Sequence, residues 1–434
     1  MRTIPFHLFL TAFISIIVLS PLPCSGDSFL ETFRAETTIL PNEELRAAWV
    51  VRYALASREE IDRAVDYAVR ARFHLLFVQV RGRADAYYRS ELEPAARGLQ
   101  QPTEIFDPLR YFVERAHEAG IAVHAWINVF YVWSDHENAP PDGHITRTHP
   151  DWLVTTRDGV RMDELPVSVW TQRGLEGYFA SPGNPEVRRH IVGVARDLAT
   201  RYPIDGIHLD YVRYPGIDFD YSPAQRTAFA LRYGVDPVPS RSGDVRGDAQ
   251  HTRDEELMGA GASALIDSLH TLWRTTQVDA LIDSIRVVTE GLALSAAVVP
   301  DPENARIIKG QNWVGWIQRR VVDFVVPMAY TFEPAELVPY VQRMRRTVGE
   351  GYFLMGLPVY DGREKYLGYS VSLLRREGIL GYSLFSYNEL AKEPFSIQFL
   401  ERVFFGDSTD ARSGGELEKD LAPDEVETPE DDGE

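Results

Sequence analysis

The sequence predicts an α/β protein, a single (β/α)8 TIM barrel, and three features of the chain indicate this fold. Eight apolar segments alternate with helical patterns along the 434 residues. The apolar segments are rich in Val, Ile, Leu, Phe and Ala, as expected of parallel strands that are covered on both faces. No glycine-rich phosphate loop follows the first strand, which argues against the alternative, an open doubly wound sheet of the dinucleotide-binding kind.

The predicted elements follow one another in a regular order. The eight strands are expected at Leu45–Arg52, Phe73–Gly82, Ile121–Phe130, Ile204–Pro215, Leu292–Pro300, Val322–Tyr330, Tyr352–Tyr360 and Gly378–Tyr387. Helical periodicity fills the connections, for example in REEIDRAVDYAVRAR and NPEVRRHIVGVARDLATRY. The connection from Phe130 to Pro185 is too long for a plain link, so we expect a strand 3 to helix 3 insertion that forms one wall of a cleft.

Both ends of the chain are predicted to lie outside the barrel. Arg2 precedes the apolar run FHLFLTAFISIIVLS, and small residues follow in PLPCSG, which predicts a signal peptide over residues 1–26, with a retained membrane anchor as the alternative. Residues 27–44 would then link it to a domain over residues 45–405. Residues 406–434 are rich in acids, Gly, Ser and Pro, which predicts a disordered acidic tail. We therefore expect a secreted or periplasmic protein without a stable membrane span after processing.

Charge and cysteine content limit the possible partners. The formal net charge of -19 disfavours nucleic acid and anionic membrane surfaces, because both would be repelled. The single cysteine, Cys24, lies in the predicted signal peptide, so the mature chain would have no disulfide and no thiolate metal site.

Polar side chains are predicted to collect at the C-terminal mouth of the barrel, where barrel enzymes place their chemistry. The fourth strand reads DGIHLDYVRYP, and because strand side chains alternate, Asp210 and His208 would point inward together. The same alternation places inward Gln79 and Arg81 on strand 2, His124, Trp126 and Asn128 on strand 3, and Tyr330 on strand 6. Any one of these could be a satisfied core residue, but burying so many polar groups without a ligand or water is costly.

Seven blocks of the chain resemble, in the same order, those of the bacterial glycosyl hydrolase-like 10 family. They are FVQVRGRADAYYRSELEP, AHEAGIAVHAWINVF, HPDWL, SPGNPEVRRHIVGVARDLATRYPIDGIHLDYVRYP, WRTTQVDALI, VDFVVPMAY and GYSLFSY. The resemblance extends over roughly residues 45–390. It implies a (β/α)8 fold, export across the inner membrane, and hydrolysis of glycosidic bonds in a cell-envelope polysaccharide, with peptidoglycan glycan strands as the substrate class.

Asp210 is the first candidate for catalysis in such a hydrolase. The segment is similar to the DGxDxDxE strand of family 18 chitinases, but Val212 stands where their general acid glutamate would be. Asp210 could still serve as acid, base or nucleophile in a two-carboxylate mechanism. His208 and Arg213 are close enough in sequence to tune its pKa or to bind the sugar.

The second carboxylate is open at the level of sequence. Asp301 and Glu333 follow strands 5 and 6 and are the other catalytic candidates, and alternation would turn Asp301 and Asp361 inward if their strands continue that far. Asp361 and Asp85 are expected to bind substrate, Asp85 because it lies in a matching block. Each of these acids could instead cap a helix or pair with an arginine.

Two other functions are compatible with the sequence. Many family members carry a second aspartate after the strand 4 aspartate, whereas Tyr211 stands there in this chain, which raises the possibility of a catalytically inactive, glycan-binding barrel. A carbohydrate deacetylase is the other alternative, for which we would expect a His/Asp metal cluster that the sequence does not show. We expect no metal and no cofactor.

Overall fold

The computed structural model describes residues 44–134, 138–238, 253–331, 333–349, 352–379, 381–392 and 397–405. The predicted signal peptide, the linker up to residue 43 and the predicted acidic tail lie outside the described residues. In the described part of the chain, none of the helices combines the length and the apolar character needed to cross a membrane.

Eight parallel strands form a nearly closed barrel, which confirms the predicted fold class. Each predicted strand contains one observed strand: β1 Leu45–Val50, β2 Leu75–Arg81, β3 Ala122–Asn128, β4 Gly206–Asp210, β5 Ala293–Val298, β6 Phe324–Pro327, β7 Met355–Pro358 and β8 Gly381–Phe385. The order around the sheet is β6-β5-β4-β3-β2-β1-β8-β7, and every ladder is parallel. Two parallel bridges, Val325 to Phe353 and Met328 to Gly356, join β6 and β7 where the sheet closes.

Helices pack around the outside of the barrel. Those of eight or more residues are α1 Arg58–Arg70, α2 Pro108–Glu118, α3 Pro185–Arg201, α4 Pro223–Tyr233, α5 Arg253–Val288, α6 Pro302–Lys309, α7 Leu337–Val348, α8 Leu367–Arg376 and α9 Ile397–Phe405. Side-chain caps mark several helix starts; in α2 and α3, Asp107 and Asn184 accept hydrogen bonds from backbone N–H groups, and proline occupies the first turn.

The predicted insertion between β3 and α3 is present and has its own secondary structure. Residues Tyr131–Trp133 pair antiparallel with Tyr178–Phe179, and we call these two short strands the ribbon. The segment between them contains the short helices Ile145–Thr148 and Val167–Arg173 and the 3-10 turns Pro150–Trp152 and Met162–Glu164. Because the insertion follows β3 directly, it lies at the C-terminal mouth of the barrel.

The barrel interior is a packed apolar core. A cluster of buried side chains fills it: Leu45, Ala47, Trp49, Leu75, Phe77, Trp126, Phe324, Val326 and Leu354. A second and larger cluster lies between the strands and the surrounding helices. Polar side chains therefore have room only at the ends of the barrel, or inside it where they are hydrogen-bonded.

Candidate active site

His208 points into the barrel, as alternation predicts, but it belongs to the packed interior rather than to the mouth. Its Nε2 atom accepts a hydrogen bond from the Trp49 indole N–H at 3.1 Å, and its Nδ1 atom lies 2.9 Å from the Ser295 hydroxyl. The Phe77 ring stacks on the imidazole with 4.0 Å between centroids. His208 is fully buried, and burial lowers its pKa well below the ordinary value, so it is a neutral core residue. The expectation that His208 contacts substrate has no support in this geometry.

His124 occupies the same interior layer and is also fully buried. It packs directly against Gly206, where a Cβ atom would lie 2.6 Å from the His124 Nε2 atom. Burial lowers the pKa of His124 to about 4, which keeps the ring uncharged at neutral pH. Its inward orientation is as predicted, but it too lies beneath the mouth.

Asp210 is the last residue of β4 and occupies the mouth. Its side chain is directed to the barrel axis, in register with Asn128 on β3, and only 6% of the residue is exposed. Its Oδ1 atom accepts a hydrogen bond of 2.6 Å from the backbone N–H of Tyr211, a residue held in the left-handed region with φ of 49°. Such strained positions are concentrated at functional sites.

The environment of Asp210 favours its protonated form. Burial raises the pKa of Asp210 to about 6, although the Arg213 guanidinium and the Tyr211 N–H both favour the carboxylate. An acid with this pKa is half protonated near pH 6, whereas an aspartate in water is almost fully ionised there. A large fraction of Asp210 is therefore protonated near pH 6 and can donate its proton as a general acid.

Aromatic rings surround the mouth beside Asp210. Phe385 lies 5.8 Å from Tyr330, 6.0 Å from Tyr360 and 6.3 Å from Trp126, measured between ring centroids. The side chains of Tyr330, Tyr360 and Phe385 are half-buried, so part of each faces solvent. Flat apolar faces of this kind can stack on sugar rings.

Two predicted polar residues support the mouth through contacts within the protein. The Gln79 Oε1 atom accepts a hydrogen bond of 3.0 Å from the Arg52 guanidinium. The Asn128 amide accepts a hydrogen bond from the Trp126 indole and donates one to the carbonyl of Gly82, each at 2.9 Å. Asn128 therefore orients Trp126 beside Asp210.

The predicted inward orientation of Arg81 is wrong. A register shift between Gln79 and Arg81 pairs Arg81 with Ile127, whose side chain faces the helices. Arg81 therefore points outward and forms a fully buried ion pair of 2.7 Å with Glu93, which also contacts His190 of α3. Burial opposes ionisation of Glu93, but Arg81 and His190 outweigh it and lower its pKa to about 2. One extra residue at a bulge reverses the alternation, so the Arg81 side chain points away from the barrel axis.

Among the described residues, the other acids predicted at the mouth make no contact with Asp210; they are Asp301, Glu333 and Asp361. β5 ends at Val298, so alternation no longer governs Asp301, which accepts hydrogen bonds from two N–H groups at the start of α6 and pairs with Arg343 of α7. The predicted inward orientation of Asp301 is therefore not realised. Glu333 is exposed in a loop. The side chain of Asp361 is 75% exposed and lies 3.7 Å from Arg363.

Asp85 is buried and stabilises the loop after β2. Its Oδ1 atom accepts a hydrogen bond of 2.9 Å from the backbone N–H of Arg83. This is a local turn contact two residues away in sequence, of the kind that aspartate commonly makes in loops. Asp85 therefore shapes the loop that approaches the mouth from the β2 side.

Glu176 is a carboxylate at the mouth that sequence reasoning missed. It lies two residues before the start of the ribbon strand Tyr178–Phe179 and pairs with Arg213, with 2.9 Å between its Oε2 atom and the guanidinium. Arg213 itself lies over the Tyr211 ring at 4.6 Å. Glu176 does not follow a barrel strand, so the alternation pattern contains no signal for it. Only the return of the insertion to β4 brings it there.

In the described residues, no group of three or more His, Cys, Asp or Glu side chains has the arrangement of a metal site.

A parallel eight-stranded barrel with a buried carboxylic acid and aromatic rings at its C-terminal mouth is the arrangement of TIM-barrel glycoside hydrolases. Comparison with known proteins agrees with this class. The chain belongs to the glycosyl hydrolase-like 10 family, whose model matches residues 44–349. This match confirms the resemblance predicted from sequence.

Sequence identity to individual relatives is low. The glycosyl hydrolase DigH of Escherichia coli (strain K12) is 27% identical over 162 residues, which are 35% of this chain and 34% of that protein. The match thus spans about a third of the length of this curated relative.

Two solved structures share the fold. The PgaB (BpsB) glycoside hydrolase domain from Bordetella bronchiseptica has a TM-score of 0.60 at 15% identity, covering 83% of this chain and 99% of that one. The catalytic domain of a β-amylase from Paenibacillus polymyxa has a TM-score of 0.54 at 11% identity, covering 84% and 98%.

Proposed function

We propose that this protein is a glycosidase that cleaves a cell-envelope polysaccharide, with peptidoglycan glycan strands as its substrate and Asp210 as its general acid. The observation that carries the proposal is the state of Asp210, a buried carboxylic acid with a raised pKa at the C-terminal mouth of a barrel. Glycosidic bond cleavage requires such an acid, because the leaving oxygen must be protonated as the bond breaks.

The surroundings of Asp210 suit a sugar substrate. The exposed parts of Tyr330, Tyr360 and Phe385 provide apolar faces beside the acid, and the half-buried Tyr211, which follows Asp210 at the end of β4, provides another. A sugar ring placed against these faces would present its glycosidic oxygen to Asp210. The acid would donate its proton to that oxygen, which leaves as an alcohol.

The choice of polymer rests on the family. The sequence resemblance implies an envelope polysaccharide, and family membership supports a glycosidase rather than another hydrolase. Secretion or periplasmic location rests on the predicted signal peptide in residues 1–26.

Release of reducing ends from purified peptidoglycan glycan strands, with product masses, tests the proposal. We expect the purified protein to cleave strands, either stripped of stem peptides or intact, and the folded Asp210→Asn variant to lose this activity. Glycan binding without turnover would instead favour the inactive binding barrel. If the protein neither cleaves nor binds the strands, peptidoglycan glycan is rejected as the substrate.

A further inference from the structure

We propose that Glu176 is the second carboxylate of the site, the general base that takes a proton from the water attacking the sugar. This inference rests on the proposed glycosidase function and identifies a residue that none of the strand ends supplies. The insertion, rather than the barrel, would then provide half of the catalytic pair.

The backbone at Glu176 is held rigidly above the mouth. The Tyr131 hydroxyl donates a hydrogen bond of 3.2 Å to the Glu176 carbonyl. At the next residue, Gly177, a Cβ atom would lie 2.4 Å from the Trp133 carbonyl oxygen and 2.6 Å from the Tyr131 ring. Only glycine allows the two ribbon strands to approach this closely, so the chain holds Glu176 at a defined position.

Side-chain contacts connect Glu176 to the end of β4. The Tyr131 ring packs on the Tyr211 ring with 4.6 Å between centroids, so the ribbon lies against the residue that follows Asp210. Arg213, two residues further on, pairs with the Glu176 Oε2 atom. Arg213 is thus the common neighbour of the two carboxyl groups, because its charge also acts on Asp210.

The two carboxyl groups have opposite environments, as a glycosidase requires. Asp210 is 6% exposed and forms no ion pair with any residue that the structure describes, whereas the side chain of Glu176 is 50% exposed and contacts a guanidinium. Lys309, whose amino group donates to the Pro215 carbonyl at 2.6 Å, adds positive charge near Glu176. Glycosidases use two carboxyl groups in different surroundings, one as the acid and the other as the base.

The free oxygen of Glu176 is available to water. Its Oε2 atom is engaged by Arg213, and its Oε1 atom has no hydrogen-bond partner among the residues that the structure describes. A half-exposed carboxylate with one free oxygen can accept a hydrogen bond from a water molecule and so orient it.

In the proposed reaction, one bond forms, one bond breaks and two protons are transferred. The water oxygen forms a bond to the anomeric carbon and gives one proton to Glu176. The bond from that carbon to the glycosidic oxygen breaks, and the leaving oxygen takes the proton of Asp210. Both groups return to their starting states when Glu176 passes its proton to solvent and Asp210 takes one up.

Turnover of glycan strands by Glu176→Gln tests the inference, with Glu186→Gln as the matched control. Glu186 is a glutamate of similar exposure, 57%, that pairs with Arg189 at 3.2 Å on the surface of α3. We expect Glu176→Gln to lower kcat by about 100-fold or more, the usual contribution of a general base, with little change in KM. Glu186→Gln should behave as the parent protein, and both variants should keep its Tm.

Azide separates a base from a residue that only binds sugar. In Glu176→Ala, azide ion can take the place of water, attack the anomeric carbon and yield a glycosyl azide, while Asp210 still protonates the leaving oxygen. We expect azide to restore turnover and the azide adduct to appear by mass spectrometry. Asp210→Asn should not be rescued, because it lacks the acid.

The outcomes distinguish this inference from the proposed function. If the parent protein cleaves glycan strands and Glu176→Gln is as active as Glu186→Gln, Glu176 is not the base, while the glycosidase function stands. Loss of activity that appears as a raised KM and is not rescued by azide would make Glu176 a substrate contact only. No cleavage by the parent protein would overturn both the function and the assignment.

Discussion

The raised pKa of Asp210 predicts that Asp210→Asn changes stability in a pH-dependent way. The folded protein holds this proton more tightly than the unfolded chain, since burial raises the pKa from 3.8 to about 6. Stability is therefore fully present below the unfolded pKa and is lost as the pH rises through the folded pKa. The asparagine side chain is neutral at every pH, so the variant does not incur this loss.

The expected magnitude follows from the size of the shift. A difference of about 2 pKa units at about 1.4 kcal/mol each amounts to roughly 3 kcal/mol of unfolding free energy. The asparagine Oδ1 atom can still accept the hydrogen bond that the Tyr211 N–H gives to Asp210, so that contact contributes little to the difference. Relative to the parent protein, Asp210→Asn should thus gain about 3 kcal/mol between about pH 4 and pH 7.

Denaturant unfolding of both proteins across this pH range, followed by tryptophan fluorescence, measures the effect. Only the change with pH matters, because a constant offset reports packing at the substituted site. Asp361→Asn is the control, because its side chain is 75% exposed at the same mouth and is not covered as Asp210 is. A flat difference for Asp210→Asn, or one of opposite slope, would refute the view that burial holds Asp210 protonated.

Four further predictions concern activity and packing. If Asp210 is the acid, kcat/KM on glycan strands should fall about tenfold per pH unit above about pH 6, as the donor loses its proton; a profile flat to pH 8 would contradict this. Gly206→Ala should cost about 1–3 kcal/mol in urea unfolding, because its Cβ atom would lie 2.7 Å from a carbonyl oxygen of β5, whereas Gly261→Ala, in open space on α5, should not destabilise. Glu93→Gln should cost about 3–5 kcal/mol, because it leaves a buried guanidinium without its counter-charge, and an unchanged unfolding midpoint would show the pair to be dispensable. Gly177→Ala should lower turnover even at temperatures at which the variant is still folded, since it displaces the ribbon that carries the proposed base. A loss of turnover that appears only where the variant unfolds would indicate a purely structural role.

The local sequence pattern was sufficient to predict the barrel and to identify Asp210 as the first catalytic candidate. The eight apolar segments each contain one strand because a parallel strand covered on both faces must be apolar over its whole length, a property written in consecutive residues. The inward orientation of Asp210, His208 and His124 followed from the two-residue repeat, since β3 and β4 are regular over the residues concerned. The same repeat failed at Arg81, where the ladder with β3 shifts register.

The remainder of the site depends on tertiary contacts that no local pattern encodes. The hydrogen bonds that His208 makes in the interior, the ion pair of Asp301 with Arg343 and the proximity of Glu176 to β4 all arise from elements far apart in the chain. The pKa of Asp210 has the same origin, because desolvation depends on what covers a group and not on its sequence neighbours. By itself, the sequence determined a barrel with an aspartate at the end of its fourth strand, because periodicity specifies strands and their faces. The tertiary structure alone decided which groups accompany that aspartate and in which protonation state it is held, because distance and burial are properties of the folded chain.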